Sequence, residues 1–187
     1  YGHDLHGHLM RIEGVKDAIR DGHLLAEIYP NNNNGYGLLG FIYPNLFLHF
    51  PAMLRLYDVS MVTAYHTLIV LINAATAIAM YFSVKSITKS EYSALLGTVL
   101  YMLAPYRLCD LYIRSALGET LAMIFLPIVL AGLYHVFIGN QKKWYLLLIG
   151  FAGIIQSHVL SCLLICFVSV AFGVVFIKRL FVDKRYF

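Results

Sequence analysis

Three residues near the start of the chain have the side chains and the spacing needed for proton transfer beside an anion. Asp4, His8 and Arg11 follow one another at intervals of four and three residues, so a helix would place them on one side. A carboxylate can accept a proton from a hydroxyl group, and an arginine pairs with anionic oxygens in two places at once. The structural alternative for Asp4 is an N-cap, because an aspartate before an apolar-periodic run accepts backbone hydrogen bonds of the first turn.

The same opening segment has residues that could hold a metal. His3 and His8 supply imidazole nitrogens beside the Asp4 carboxylate, and this ligand chemistry suits a divalent ion such as Zn²⁺ or Mn²⁺. Asp4, His3 and His8 are therefore candidate ligands, and Mg²⁺ or Mn²⁺ is the candidate cofactor. Their spacing matches no metal motif with a physical basis, so hydrogen-bonded surface histidines are the alternative.

A second group of polar residues lies between residues 104 and 119. Arg107, Asp110 and Arg114 are spaced by three and four residues, and Glu119 follows them. Ionisable groups at the margin of a membrane cost free energy unless they are paired or used, which favours a functional site. The alternative is a local ion-pair cluster that closes a loop. His158 is a further candidate, with a satisfied polar contact as its structural alternative.

The composition predicts that these polar groups belong to a membrane protein. Hydrophobic residues make up 60% of the chain and charged residues 13%, and the mean hydropathy is +0.72. Charge-free runs occupy residues 61–84, 92–106, 120–141 and 144–177, and about 18 to 20 such residues cross a bilayer as a helix. The basic residues are distributed between these runs, so the net charge of +4 indicates membrane topology and no nucleic-acid partner.

The last run is too long for one crossing, since its 34 residues would form a helix about 51 Å long. A hairpin at Gln156-Ser157-His158 divides it. The hairpin also agrees with the positive-inside rule, because it gathers one set of basic residues on the cytoplasmic side: Lys85, Lys89, Lys142, Lys143, Lys178, Arg179, Lys184 and Arg185. The predicted spans are then 61–84, 92–106, 119–141, 144–157 and 159–177.

These spans place residues 1–60, residues 107–118 and His158 on the extracytoplasmic side. Residues 1–60 form a first loop, with an amphipathic helix over residues 4–21, a turn at residues 31–37 and an interfacial or re-entrant stretch at residues 41–54. Charges of both signs share one face of the helix and predict a solvated, salt-bridged surface: Glu13, Lys16, Asp17 and Arg20. Residues 61–187 form the transmembrane bundle, which is all-α and polytopic. The chain is expected to be a piece of a longer protein, truncated at both ends.

The polar segments together resemble a known group of membrane proteins. The stretches "GHDLHGHLMRIEGVKDAIRDG", "YPNNNNGYG", "FIYPNLF", "APYRLCDLYIRSALGE" and "QSHVLS" look like the bacterial YfhO-like and 6-pyruvoyl-tetrahydropterin synthase-related integral membrane families. These families are grouped with the GT-C glycosyltransferases. The resemblance covers the whole chain, as a portion that follows a first transmembrane helix. The chain has a single aspartate where the best-defined members have a paired Asp-x-Asp.

The resemblance implies a multi-pass enzyme of the bacterial cytoplasmic membrane with its site on the extracytoplasmic face. A polyisoprenyl-phosphate sugar would be the donor, and an extracytoplasmic glycan or polymer the acceptor. Asp4 matches the acidic residue of the first loop and would act as general base or hold a metal. The other implied site residues would bind the phosphate or line the site: Arg107, Arg114, Arg11, His8, Glu119 and His158.

Two other functions agree with the same sequence. A transporter or flippase would place ionisable residues near the centres of the spans. In the first span the most polar residues near the centre are Asn73 and Thr76, which are uncharged. A non-catalytic envelope scaffold would keep the fold and bind membrane lipids only. Charges gathered at one face favour chemistry at the membrane surface.

Overall fold

The computed structural model describes residues 2–24 and 44–182, with the side chains of residues 180–182 left out. The turn predicted at residues 31–37 and the basic residues Lys184 and Arg185 lie outside the described residues. Every regular element within the described ranges is helical, which confirms the all-α fold class.

The helices follow one another with short connections. In chain order they are α1 Leu5–Arg20, α2 His49–Leu56, α3 Met61–Thr88, α4 Glu91–Met102, α5 Pro105–Leu108, α6 Leu117–Phe137, α7 Tyr145–Ile155, α8 Val159–Val175 and α9 Ile177–Val182. Short 3-10 turns occur at Leu46–Leu48 and Gln141–Lys143, and a π-helical turn over Cys109–Arg114 extends α5.

Helix α1 confirms the amphipathic helix predicted for residues 4–21. Its C-terminus is set by Gly22, whose φ of 87° is a left-handed conformation that a glycine adopts without steric cost. The apolar face carries Ile12 and Val15, and it packs on α2 and on the N-terminal halves of α3 and α6. The opposite face has the predicted salt bridges, in which Lys16 binds Glu13 and Arg20 binds Asp17. Arg55 of α2 also binds Glu13.

Two helices, α3 and α6, are long and apolar enough to cross a membrane. They correspond to the predicted spans 61–84 and 119–141. Ser60 begins α3 by accepting a hydrogen bond from the Thr63 backbone N–H at 3.1 Å, as an N-cap does. Many large apolar side chains of the helices are exposed, as expected for helices that contact lipid. Examples are Val70, Ile78, Phe82, Leu95, Leu100, Leu130, Leu148, Leu164, Phe167 and Val174.

The predicted span 92–106 is a bent pair of helices. Helix α4 has 12 residues and is about 18 Å long, which is too short to cross a bilayer by itself. The chain then bends by 47° before Pro105–Arg114, and the two pieces together form either one broken span or a re-entrant loop. Pro105 begins the second piece, where a proline's missing N–H costs nothing.

The hairpin predicted within residues 144–177 is present, but its two helices have 11 and 17 residues and neither is among the helices long enough to cross a membrane by itself. Helix α7 ends at Ile155 and α8 begins at Val159. Small residues let α7 approach α6 closely: a Cβ at Gly150 would meet Val129, and one at Gly153 would meet the Phe125 ring. Because Gly132 of α6 lies against Leu147 at the start of α7, the two helices are antiparallel. Helix α8 returns alongside α6, where the Phe137 and Phe172 rings are 5.6 Å apart.

The close approach of α6 and α7 predicts a cost for any side chain at Gly150. A Cβ there would lie 2.9 Å from the Val129 backbone nitrogen, so Gly150→Ala should force the two helices apart and lower the free energy of unfolding by about 1–3 kcal/mol. Gly7→Ala is the control, because nothing lies within 4 Å of a Cβ at that helical position. Thermal unfolding in detergent should show a lower Tm for the first variant only. Equal Tm values would contradict the packing described here.

Candidate functional site

A cavity of about 400 Å³ lies where the N-terminal ends of α1, α6 and α8 meet. These three segments are far apart in the sequence, and each contributes polar side chains to the cavity wall. The lining residues are His3, Asp4, Gly7, His8, Arg11, Arg114, Ala116, Gly118, Glu119, His158 and Leu160. The cavity therefore gathers every residue predicted for the site except Arg107.

Backbone contacts join the first segment to the second. The Asp4 N–H donates to the Arg114 carbonyl at 2.9 Å. Gly2 lies directly against Ser115, where a Cβ would come within 1.9 Å of Oγ, so the close approach requires a residue without a side chain. Ser115 itself ends the π-helical turn with a φ of 55°. These contacts hold the start of α1 beside the start of α6.

Asp4 occupies the N-cap position of α1, but its side chain makes no capping hydrogen bond. The residue is exposed, and it lines the cavity. Asp4 is therefore at the N-cap position that the structural alternative predicted, but its carboxylate does not cap the helix. That carboxylate lies at the cavity wall, where it can reach a bound molecule.

His8 is buried and connects α1 to α6. Its Nε2 accepts a hydrogen bond from the Leu117 N–H at 3.3 Å, and its Nδ1 lies 3.3 Å from Nη1 of Arg11. A neutral ring accepts at one nitrogen and an imidazolium at neither. Burial and the Arg11 charge together lower the pKa of His8 to about 4, with the charge of His158 adding to the effect and that of Asp4 opposing it. His8 is thus a neutral residue that fixes the wall of the cavity.

Arg11 connects the cavity to the segment that precedes α2. Its Nη2 donates to the Pro44 carbonyl at 3.0 Å and to Oδ1 of Asn45 at 2.9 Å. Asn45 was not predicted as a site residue, since an isolated asparagine in an apolar stretch carries no spacing signal. The guanidinium of Arg11 therefore joins α1 to the residues directly before α2.

Arg114 is the centre of an ion-pair cluster. Its Nη1 donates to Oδ1 of Asp110 at 2.6 Å, and its Nη2 donates to Oε1 of Glu119 at 2.9 Å. The Tyr106 hydroxyl donates to the other oxygen of Glu119. The ion-pair alternative predicted for this segment is present, and two members of the cluster, Arg114 and Glu119, also line the cavity. Sequence spacing related Asp110 to Arg114 but gave no signal for Tyr106.

Arg107 lies away from the cavity. It is buried, its Nη2 donates to Oδ1 of Asn73 at 2.5 Å, and its Nη1 donates to the Met102 carbonyl at 3.2 Å. Asn73 is near the middle of α3, so Arg107 is deeper in the bundle than the sequence predicts. The bend between α4 and α5 explains the difference, because it turns residue 107 toward α3 and leaves Arg114 at the surface.

His158 begins α8 as its N-cap. Its Nδ1 accepts from the Ser161 N–H at 3.2 Å, so the neutral ring carries its proton on Nε2. The satisfied polar contact predicted as the structural alternative for His158 is present. The residue nevertheless lines the cavity together with Asp4 and Glu119, so the N-cap of α8 is also part of the cavity wall.

Within the described ranges, no group of three or more His, Cys, Asp or Glu side chains is arranged to hold a metal. Both nitrogens of His8 already have contacts, which makes this residue a poor fit for a metal. Asp4 and His3 are exposed at the cavity. A metal at Asp4, His3 and His8 stays a prediction.

Comparison with known proteins identifies no relative: no family model matches the chain, and neither does any curated protein or solved structure. The function must therefore be inferred from the chemistry of the cavity.

The buried neutral His8 predicts acid sensitivity. An unfolded histidine takes up a proton below pH 6.5, but folded His8 does so only near pH 4, so unfolding takes up a proton between these values and stability falls as the pH falls. Acidification from pH 7 to pH 4.5 should cost about 2–3 kcal/mol through this residue. His8→Gln keeps an acceptor for Leu117 and cannot titrate. Its Tm should therefore depend less on pH than that of the wild type, and parallel Tm profiles would contradict the assignment.

The hydrogen bond from Arg107 to Asn73 is expected to stabilise the contact between α5 and α3. Asn73→Leu removes an acceptor from a buried guanidinium and should lower the free energy of unfolding by about 2 kcal/mol. Thr76→Val is the control, because its hydroxyl bonds only the Ile72 carbonyl of its own helix and should cost less than about 1 kcal/mol. Thermal unfolding in one detergent compares the two. If Asn73→Leu were no more costly than the control, the link would not contribute to stability.

Proposed function

We propose that the chain belongs to an integral membrane glycosyltransferase, which transfers a sugar from a polyisoprenyl-phosphate donor to an acceptor hydroxyl of the cell envelope. The observation that carries the proposal is the position of the Asp4 carboxylate: it makes no capping bond and lines a cavity that Arg114 also lines. This cavity lies at one end of helices that are apolar enough to cross a membrane.

The transfer would proceed with Asp4 as general base. The acceptor oxygen forms a bond with the anomeric carbon of the sugar, while the bond between that carbon and the phosphate oxygen breaks. The bonding electrons leave with the phosphate, and the acceptor proton moves to the Asp4 carboxylate. Cations and oriented N–H groups would stabilise the negative charge that develops on the phosphate.

Arg114 and two helix ends would supply that stabilisation. The N-termini of α6 and α8 lie at the cavity, and each carries the partial positive charge of a helix N-terminus. Arg114 precedes α6 and lines the same cavity, and a guanidinium can pair with phosphate in two places. Because Arg107 does not line the cavity, we assign it to the support of the bend between α4 and α5. His158 and His8 would shape the wall of the site.

The membrane arrangement follows from the same proposal. The cavity end would be extracytoplasmic in a multi-pass protein of the bacterial cytoplasmic membrane, with five spans and a GT-C-like fold. Basic residues occupy the opposite ends of the helices and satisfy the positive-inside rule: Lys85, Lys89, Lys142, Lys143 and Lys178. The isoprenyl chain of the donor would lie along exposed apolar side chains of α8 such as Leu160 and Leu164, and the headgroup would reach the cavity.

A divalent metal would bind through Asp4 and His3. A carboxylate and an exposed imidazole suit Mn²⁺ better than a purely nitrogen site would. The role of Asp4 as a base does not depend on that ion.

Replacement of Asp4 tests the proposal directly. Asp4→Asn keeps the backbone N–H that binds Arg114 and removes the base, so transfer should fall at least about 100-fold. The assay uses the full-length protein in membranes, with a panel of radiolabelled polyprenyl-phosphate sugars and isolated cell-envelope acceptors. Asp21→Asn, an exposed position at the other end of α1, is the matched control and should keep full activity.

Two results would count against the proposal. If Asp4→Asn transferred sugar at the wild-type rate, Asp4 would not be the base. If the full-length wild type transferred no sugar from any donor of the panel, the enzyme assignment would fail and a lipid-binding scaffold would be favoured.

A transporter or flippase is the second candidate, and one observation favours it. Arg107 is a buried cation against the middle of α3, beside a break between two helices, and such features mark substrate pathways in transporters. Reconstituted vesicles would separate the functions. A flippase should lose lipid translocation on Arg107→Gln and keep it on Asp4→Asn, whereas the transferase should show no translocation.

A further inference from the structure

We propose that Glu119 is an internal anion that occupies Arg114 in the free protein and is exchanged for the phosphate group of the ligand. This inference rests on the proposed function, because the phosphate is that of the lipid donor. Glu119 then determines the affinity that an anion needs in order to displace it from Arg114.

The geometry of the pair resembles recognition of a phosphate. Nη2 of Arg114 donates to Oε1 of Glu119 at 2.9 Å, and Nη1 donates to Oε2 at 3.2 Å. Two parallel N–H groups thus meet two carboxylate oxygens. A guanidinium binds two phosphate oxygens with the same fork, so the carboxylate of Glu119 takes the position that a phosphate would need.

The two carboxylates on Arg114 differ in their ability to leave. The Asp110 side chain is 0% exposed and holds Nη1 at 2.6 Å, whereas the Glu119 side chain is 18% exposed and Arg114 is 36% exposed. Only Glu119 lines the cavity. Asp110 therefore anchors the guanidinium within the protein, while Glu119 can turn away into the cavity and leave Arg114 in place.

The charges of the cluster explain why bound Glu119 opposes phosphate binding and why its departure permits it. When both carboxylates are ionised and bound to Arg114, the cluster of Asp110, Arg114 and Glu119 has a net negative charge, which repels an approaching phosphate. Once Glu119 leaves the fork, the remaining pair of Arg114 and Asp110 is neutral and the fork accepts the anion. The Tyr106 hydroxyl, which donates to Oε2 of Glu119, is on a 62% exposed residue and can follow the carboxylate.

The experiment measures phosphate affinity in the full-length protein in detergent at constant ionic strength. The probes are citronellyl phosphate, a short isoprenyl phosphate, and inorganic phosphate. Glu119→Gln keeps an acceptor for Arg114 and Tyr106 but removes the competing charge, so affinity should rise about tenfold, or about 1.4 kcal/mol. Glu91→Gln is the matched control, because Glu91 forms an ion pair with Lys85 outside the cavity and should leave affinity unchanged.

The double variant Glu119→Gln, Arg114→Gln should lose the gain, since the gain acts through the freed fork. Glu119→Ala is a second test if the glutamine variant does not fold, and it should also bind phosphate more tightly than the wild type. Unchanged or weaker binding in both Glu119 variants would overturn the inference, as would an equal gain in Glu91→Gln or a gain that survives loss of Arg114.

The two probes separate this inference from the proposed function. A gain for citronellyl phosphate supports both. A gain for inorganic phosphate alone, with no binding of the isoprenyl phosphate, supports the exchange at Arg114 and counts against a lipid-phosphate donor. Absence of binding of either probe to any variant would overturn both.

Discussion

The hydrogen bond from the Asp4 N–H to the Arg114 carbonyl is the contact on which the rest of the site depends. It joins two segments that are more than a hundred residues apart, and the contact of Gly2 with Ser115 and the bond from Leu117 to His8 reinforce it. Without these contacts α1 would keep its apolar face and its polar links to Asn45 and Arg55, which join it to the α2 segment and do not set its position relative to Arg114. Backbone bonds are directional, so they fix where the Asp4 carboxylate lies relative to Arg114.

The polar groups of the cavity divide into those that build it and those that remain available to a ligand. His8, Arg11 and Nδ1 of His158 are used in contacts between segments. Burial makes such contacts necessary, because a polar group taken from water without a partner costs free energy. Asp4 has no such task, and Glu119 shares Arg114 with Asp110. This division distinguishes a carboxylate that a ligand can reach from one that is used to hold the structure together.

In the apolar part of the molecule, polar side chains pair with groups inside the protein and are not available to a ligand. Arg107 lies against Asn73 and the Met102 carbonyl. Its side chain thus donates to a backbone carbonyl that the break between α4 and α5 would leave without a partner. Backbone groups in an apolar environment must be paired within the protein. The bend before Pro105 is therefore compatible with a membrane, and it also carries Arg114 to the surface.

The sequence by itself determined the all-α class, the long apolar helices and the amphipathic helix α1, because these depend on short-range periodicity and on the length of charge-free runs. The same periodicity related Asp4 to His8 and Arg11. Tertiary structure alone decided that this face meets Arg114, Glu119 and His158, that Arg107 turns toward Asn73, and that Asn45 and Tyr106 take part. Helical spacing specifies which side chains share a face, but a bend of 47° and the packing of three helix ends specify what that face meets.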